Sequence, residues 1–207
     1  RSLLLIEKDP KDRNDRTWCF WESGEGDLEA MVHKTWNHAY FNADDFEMDF
    51  SLQPFRYKMI RSLDFYQSMK SKLAEFDQLT QIKASVSHIK DGWVTTEVQS
   101  YQGGMVFSSI YNPKSLSHQK KYPVLLQHFV GQVVQTQKPC FDPDKIEFMN
   151  FKVSQKGNTR FMYVLPLGRN KALLEYTLFS QNVLERKEYK DAIADFLKEL
   201  PTGGYEI

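Results

Sequence analysis

The sequence predicts an α+β fold: a mostly antiparallel β-sheet with helices packed against it. Three observations carry that reading. Strand-like runs outnumber helical ones, several of them are joined by short turns, and two segments place apolar side chains on one face at helical spacing. Residues 2–6 (S-L-L-L-I) form a short apolar run closed by Glu7, Lys8, Asp9 and Pro10, which predicts a buried strand ending in a turn. Residues 8–16 are almost wholly charged or polar and read as a loop. The aromatic cluster Thr17-Trp18-Cys19-Phe20-Trp21 follows, and residues 36–50 alternate weakly, as strands do.

The first helix is predicted over residues 63–76, with Ser62 as its N-cap and Phe65, Met69, Leu73 and Phe76 as its apolar face. Residues 83–97 read as a hairpin turning at Asp91-Gly92. Residues 105–111 and 124–136 are β-rich, with a linker over 113–123 between them. Residues 148–153 alternate Phe148, Asn150, Lys152 against Met149, Phe151, Val153, which is a strand with one apolar face. A hairpin around Gly168, Arg169 and Asn170 comes next. The second helix is predicted over 185–200, with Tyr189, Ile193, Phe196, Leu197 and Leu200 on one face, ended by Pro201 and Gly203-Gly204.

Composition bounds the function. Lys plus Arg equals Asp plus Glu at 27 each, so nothing points to nucleic acid or a strongly charged membrane face. Aromatics reach 14%, with 15 Phe and 10 Tyr; a large apolar pocket and an aromatic core both account for that excess. Cys19 and Cys140 lie far apart without metal-type spacing, so no metal is expected and a reducing compartment is the default. The five histidines (33, 38, 88, 118 and 128) show neither ligand spacing nor a nucleophilic partner, and His128 reads as a satisfied core residue. No apolar run approaches the length of a membrane-spanning helix. The chain starts without methionine on a strand-like run, as a piece of a longer protein would.

The sharpest feature is Glu175, inside Leu173-Leu174-Glu175-Tyr176-Thr177. A three-residue loop in the preceding hairpin sets Leu167 opposite Lys171 and Tyr163 opposite Glu175. One sheet face then carries Phe161, Tyr163, Leu165, Leu173, Glu175 and Thr177. Desolvation there favours the neutral carboxyl, which could act as a general acid. A strand glutamate facing solvent or paired with a lysine is the alternative at this point. Glu7 closes the first strand, where a Rossmann unit places the carboxylate that accepts ribose hydroxyls; a plain strand-end charge is the other reading.

Four stretches taken in order resemble the lycopene cyclase family of FAD-dependent carotenoid enzymes. They are residues 3–7 with Asn14-Asp15-Arg16-Thr17-Trp18-Cys19-Phe20-Trp21; Leu126-Gln127-His128-Phe129-Val130-Gly131; residues 161–167; and Leu174-Glu175-Tyr176-Thr177. The resemblance implies a partial FAD-binding Rossmann-type flavoprotein with its substrate domain. Residues 1–35 are expected to be a remnant of the FAD domain, and 36–207 a mainly β-rich substrate domain with interspersed Rossmann elements. Glu175 falls on the family's catalytic acid and Glu7 on its ribose-binding carboxylate. Trp18, Phe20, Trp21, Phe161 and Tyr163 are candidates for stabilising a substrate cation through their ring faces. The family often has Asp where this chain has Asn150.

The implied reaction is ring closure of an acyclic carotenoid end, with reduced FAD in the full-length protein and no net redox change. The Gly-rich loop before Glu7 and the family's C-terminal half are absent from these residues, so the piece alone is expected to hold neither flavin nor activity. A cytoplasmic protein touching the bilayer peripherally is expected, since the substrate is a membrane hydrocarbon. Two other readings remain open: a related flavoprotein prenyl reductase or monooxygenase, and a non-catalytic β domain that binds an apolar ligand.

Overall fold

The computed structural model describes residues 2–110, 121–122 and 124–207. In chain order the strands are β1 (Leu3–Ile6), β2 (Thr17–Glu22), β3 (Val32–Trp36), β4 (His38–Ala43), β5 (Phe46–Ser51) and β6 (Arg56–Arg61). Helix α1 (Ser62–Ala74) follows, then β7 (Leu79–Ile82), β8 (Val86–Lys90), β9 (Trp93–Thr96), β10 (Ser100–Gln102) and β11 (Leu126–Thr136). The chain continues with β12 (Lys145–Asn150), β13 (Thr159–Gly168), β14 (Lys171–Ser180), helix α2 (Arg186–Lys198) and β15 (Tyr205–Glu206). The expected α+β class, mostly sheet with two helices, is what these elements form.

The chain divides into two units, and it crosses between them three times. One comprises Arg1–Trp18 with Ile60–Ser117, the other Cys19–Met59 with His118–Ile207. The boundary expected between residues 35 and 36 falls within β3, inside the second unit.

In the first unit β1 and β7 run parallel, with Leu3 opposite Leu79 and Ile6 opposite Ile82. Helix α1 begins one residue earlier than predicted. Arg61 is its N-cap, and Ser62 is the first helical residue. The Ser62 hydroxyl bonds residues upstream instead of capping: it accepts from the Arg16 N–H (3.0 Å) and donates to the Asp15 carboxylate (3.0 Å). The predicted apolar face is only partly covered, and Phe76 is exposed. Tyr66 is the buried ring, its hydroxyl donating to Asp15 (3.2 Å). The hairpin at Asp91-Gly92 joins β8 to β9 as predicted, both turn residues having positive φ (51° and 80°), which suits the sequence Asp-Gly. Residues 105–110 form no strand, contrary to expectation. No strand among the described residues pairs with them, and Met105, Phe107 and Ile110 stay exposed. Tyr111, the 113–120 part of the predicted linker with His118 in it, and Pro123 lie outside the described residues.

In the second unit a seven-stranded sheet has the order β15-β11-β14-β13-β12-β4-β5. It is antiparallel except where β12 runs parallel to β4. Its two faces have separate covers. Helix α2 lies over Val134, Met162, Val164, Leu174, Tyr176 and Leu178, packing Tyr189, Ile193 and Leu197 against them. A capping box starts this helix, Glu185 and Glu188 each accepting the other's backbone N–H. On the opposite face Trp36, Leu52, Met59, Ile146 and Leu165 form a second core, with Cys19, Tyr57, Phe148 and Leu173 packed on it. The strands of that cover form the three-stranded sheet β2-β6-β3. Strand β12 starts earlier than predicted, at Lys145, and stops at Asn150; a bulge between Glu147 and Asn150 breaks the simple alternation.

Two buried polar contacts fasten the second core. The Trp36 indole N–H donates to the Pro166 carbonyl (2.9 Å), with the ring wholly buried. The Lys58 ammonium, with its side chain fully buried, is ringed by the Glu22 carboxylate (2.8 Å), the Gly24 carbonyl (2.6 Å) and the Glu29 carboxylate. Burial pulls the Lys58 pKa down, and the two glutamates outweigh it and hold the pKa above the usual lysine value. Replacing Trp36 by Phe should lower stability by about 1–3 kcal/mol, through a lost hydrogen bond and a partial void. Urea unfolding of the two proteins checks this. An unchanged midpoint would mean that the indole contact fastens nothing.

Candidate functional site

Glu175 sits on β14 between β13 and β11, directly opposite Tyr163 on one side and Gly131 on the other. The predicted facing is therefore present, although the loop differs from the expected one. Gly168 pairs with Lys171 across the two-residue turn Arg169-Asn170, and an irregularity between Pro166 and Gly168 absorbs one residue. Leu167 is the residue left unpaired. A bulge of this kind shifts the register by one, so the shorter loop and the bulge together restore the pairing of Tyr163 with Glu175.

The residue is half-buried, and burial of the carboxyl alone raises its pKa above the ordinary glutamate value. No ion pair or hydrogen bond holds it among the described residues. That outcome decides against the solvent-facing and lysine-paired alternatives. Its neighbours are equally averse to charge. Burial, reinforced by Glu175 and tempered by a hydrogen bond from Tyr57, pushes the Cys19 thiol up to about 12. Burial likewise raises the Tyr57 and Tyr163 hydroxyls, with Glu175 adding to the effect. At neutral pH every acid at this point is in, or pushed toward, its protonated form.

Aromatic rings extend from this point. Tyr163 meets Phe148 (5.7 Å between centroids) and Phe161 (5.1 Å); Phe148 meets Trp21 (5.5 Å) and Tyr57 (6.0 Å); Trp21 and Tyr57 lie 4.7 Å apart. Of the rings singled out by sequence, Trp21 and Tyr163 thus join Glu175's surroundings, Trp21 with 45% of its surface exposed. Phe161 is on the same sheet face but is a core residue, 3% exposed and packed among Phe151, Tyr163 and Phe179. Trp18 lies in the first unit, edge-on to Phe65 and Tyr66 of α1. Phe20 alternates to the face of β2 opposite Cys19 and Trp21 and is half-buried.

Sequence reasoning missed Tyr57 and Phe148 as members of this ring cluster. Tyr57 is hidden between Arg56 and Lys58, and the signal that finds it is the alternation Tyr57, Met59 on a strand whose lysine turns out to be buried.

Glu7 follows β1 at the carboxyl end of the parallel pair. Its carboxylate accepts the Asp9 N–H (2.9 Å) and lies 3.4 Å from the Lys11 ammonium. Asn150 is occupied: its amide donates to Glu147 (2.7 Å) and its oxygen accepts the Lys152 N–H (2.9 Å). Burial raises the Glu147 pKa, while hydrogen bonds from Asn150 and Asn42 oppose the rise. Since Glu147 pairs with Val164, it faces α2, the side of the sheet away from Glu175. His128 is satisfied within the fold: its Nε2–H donates to Ser180 (2.8 Å) and its Nδ1 accepts from Tyr189 (2.6 Å). Among the described residues no group of His, Cys, Asp and Glu is arranged to hold a metal, and no helix is long and apolar enough to cross a membrane.

Solved structures share this fold. A geranylgeranyl bacteriochlorophyll reductase-like protein from Thermoplasma acidophilum superposes with a TM-score of 0.62 at 14% identity, over 98% of this chain and 56% of that one. A tryptophan halogenase from Shewanella frigidimarina gives 0.58 at 10% identity, over 95% and 52%. PqsL, a probable FAD-dependent monooxygenase from Pseudomonas aeruginosa, gives 0.54 at 12% identity, over 95% and 58%. The chain spans little more than half the length of each, and at these identities the likeness is one of fold, an α+β flavoprotein-like one. No curated protein sequence matches the chain. The sequence model of one family, described as Lycopene cyclase protein, matches residues 2–207, essentially the whole chain. The chain belongs to the lycopene cyclase protein family.

Proposed function

We propose that the full-length protein cyclises an end group of an acyclic carotenoid, with Glu175 as the acid that starts the reaction. The observation that carries this reading is a carboxyl raised by burial alone, with no cation near it, beside Tyr163, Cys19 and Tyr57. Glu175 donates its proton to the terminal carbon–carbon double bond, leaving a tertiary cation. The electrons of an internal double bond attack that cation and close the ring, and a ring proton then passes to the Glu175 carboxylate, which restores the acid, so substrate and product are isomers.

The faces of Trp21, Tyr57, Phe148 and Tyr163 are suited to stabilising the cation. Glu7, at the carboxyl end of a parallel strand pair and with its side chain partly exposed, fits a carboxylate that accepts ribose hydroxyls of a flavin dinucleotide, which would displace its contacts with Asp9 and Lys11. When bound, the reduced flavin supplies electron-rich surface that favours a nearby cation. Within residues 1–35, the flavin side takes residues 1–18 with Glu7, while Cys19 and Trp21 stand with Glu175 on the substrate side with the β-rich remainder. A cytoplasmic location with peripheral contact to the bilayer follows from so apolar a substrate, and exposed Leu125, Leu126 and Phe129 offer surface for it.

Glu175→Gln in the full-length protein should abolish cyclisation while sparing flavin binding, because an amide keeps the shape but cannot protonate an alkene. General acid catalysis contributes about a hundred- to ten-thousand-fold. Expression in cells that accumulate lycopene, with pigment analysis by chromatography, checks this; cyclic product at near wild-type yield would remove Glu175 from the mechanism.

The active form is the protonated one, so kcat should be full at low pH and fall as pH rises through the raised Glu175 pKa, above the ordinary value of about 4.3. A pH–rate profile checks it, and a falling limb at the ordinary value would contradict the buried acid.

Stability carries the same sign. A folded-state pKa above the unfolded one gives stability that is complete below the unfolded pKa and lost as pH rises through the folded pKa. Glu175→Gln should therefore raise Tm by a few degrees at pH 8, with the gap closing toward pH 4. Calorimetry at the two pH values reads the difference, and a lower Tm for the variant at pH 8 would contradict the buried charge.

A further inference from the structure

The backbone of β11 passes under the Glu175 side chain at Gly131, its register partner. A Cβ added there would lie 3.2 Å from Glu175 Cγ, 3.3 Å from Glu175 Oε1 and 3.2 Å from Leu173 Cδ1. Those separations are tighter than ordinary van der Waals contact, so a side chain at residue 131 makes Glu175 and Leu173 give by a few tenths of an ångström. Conformation does not demand glycine here, because Gly131 is not among the residues with positive φ. In the interior of an exposed strand glycine is a stability cost, as it orders the most flexible backbone and packs nothing.

The same face of β11 carries Phe129 and Val133 on either side of Gly131, opposite Thr177 and Leu173. Both are substantially exposed, at 55% and 44%. Across β14 the opposite flank of Glu175 is occupied by Tyr163, with Cys19 and Tyr57 close by. The open approach to the carboxyl is therefore over β11, through a gap walled by two apolar side chains and floored by glycine.

We propose that Gly131 is a positioning residue for Glu175, and that the notch it leaves between Phe129 and Val133 is where the isoprenoid end of the substrate meets the carboxyl. The proposal rests on Glu175 being the acid. Without a Cβ at residue 131, the Glu175 side chain lies down over β11, with Oε1 at the floor of the notch and within reach of an alkene carbon entering between the two walls. A methyl or isopropyl group there both displaces the acid and fills the notch.

The test uses the full-length holoprotein with Gly131→Ala and Gly131→Val, and with Glu175→Gln alongside. Kinetic constants, pH–rate profiles, flavin content and Tm are measured for each. Valine suits an exposed strand, so a glycine without a role would give an unchanged or higher Tm with turnover intact, and a glycine needed only for folding would lower Tm and turnover together, which would overturn the proposal. The expected result is a kcat at least tenfold lower for Gly131→Val and a smaller loss for Gly131→Ala, with flavin content retained and Tm not reduced. The falling limb of the pH profile should also move toward the ordinary glutamate range, because the displaced carboxyl gains water. Turnover within twofold of wild type in both glycine variants, with Glu175→Gln inactive, would overturn the role of Gly131 and leave the acid in place. A tenfold loss with an unmoved pH limb would likewise overturn it, since the glycine would then act without Glu175. Full activity of Glu175→Gln would instead locate the failure in the assignment of the acid.

Discussion

Glu175 is a carboxyl held in an apolar, aromatic setting with no cation among the described residues to balance it, and that constraint governs the sheet face on which it lies. Desolvation of an unpaired carboxyl disfavours its charged form, so burial shifts Glu175 toward the protonated acid. Three features enforce it. The bulge at Leu167 sets the register that puts Glu175 on the face away from α2. The Trp36 indole and the Lys58 cluster fasten the strands that bring Cys19 and Tyr57 over it. Helix α2 covers the other face with a packed core, which leaves the Glu175 face for the proposed chemistry.

The neighbours of the acid matter as much as the acid. A lysine or arginine beside Glu175 would stabilise the carboxylate and remove the proton that the proposed reaction needs. What stands there is a thiol, two phenols and a series of ring faces, all neutral at ordinary pH, and the ring faces are able to favour a nearby positive charge. The contrast with Glu147 is instructive. That carboxyl is also raised by burial, but Asn150 and Asn42 hydrogen-bond it and it faces α2, which makes it part of the scaffold. An aspartate at residue 150 would set a second carboxylate against Glu147, whereas the amide present donates to it.

Much of this was legible in the sequence, for local reasons. The α2 face reads directly from Tyr189, Ile193 and Leu197, the Asp91-Gly92 turn from its dipeptide, and the facing of Tyr163 and Glu175 from one short hairpin. The loop was one residue shorter than expected, and only a compensating bulge, which no local pattern announces, kept the pairing. Tyr57 and Gly131 were not legible as site residues because their roles depend on strands distant in sequence. The apolar run at 105–110 misled for the reverse reason: β propensity without a partner strand does not make a strand. Trp18 and Phe20 share a cluster with Cys19 and Trp21, yet a strand sends alternate side chains to opposite faces.

The central claim is that the Glu175 carboxyl keeps its proton at a pH where glutamate is normally ionised. Infrared difference spectroscopy of the full-length protein carrying 13C-labelled glutamate, with Glu175→Gln as the reference, observes that proton through the carboxyl stretching band. An ordinary glutamate is ionised above about pH 5. The account predicts a protonated-acid band that is absent from the Gln variant and persists above that pH. A band already converted to carboxylate at pH 5 would contradict it.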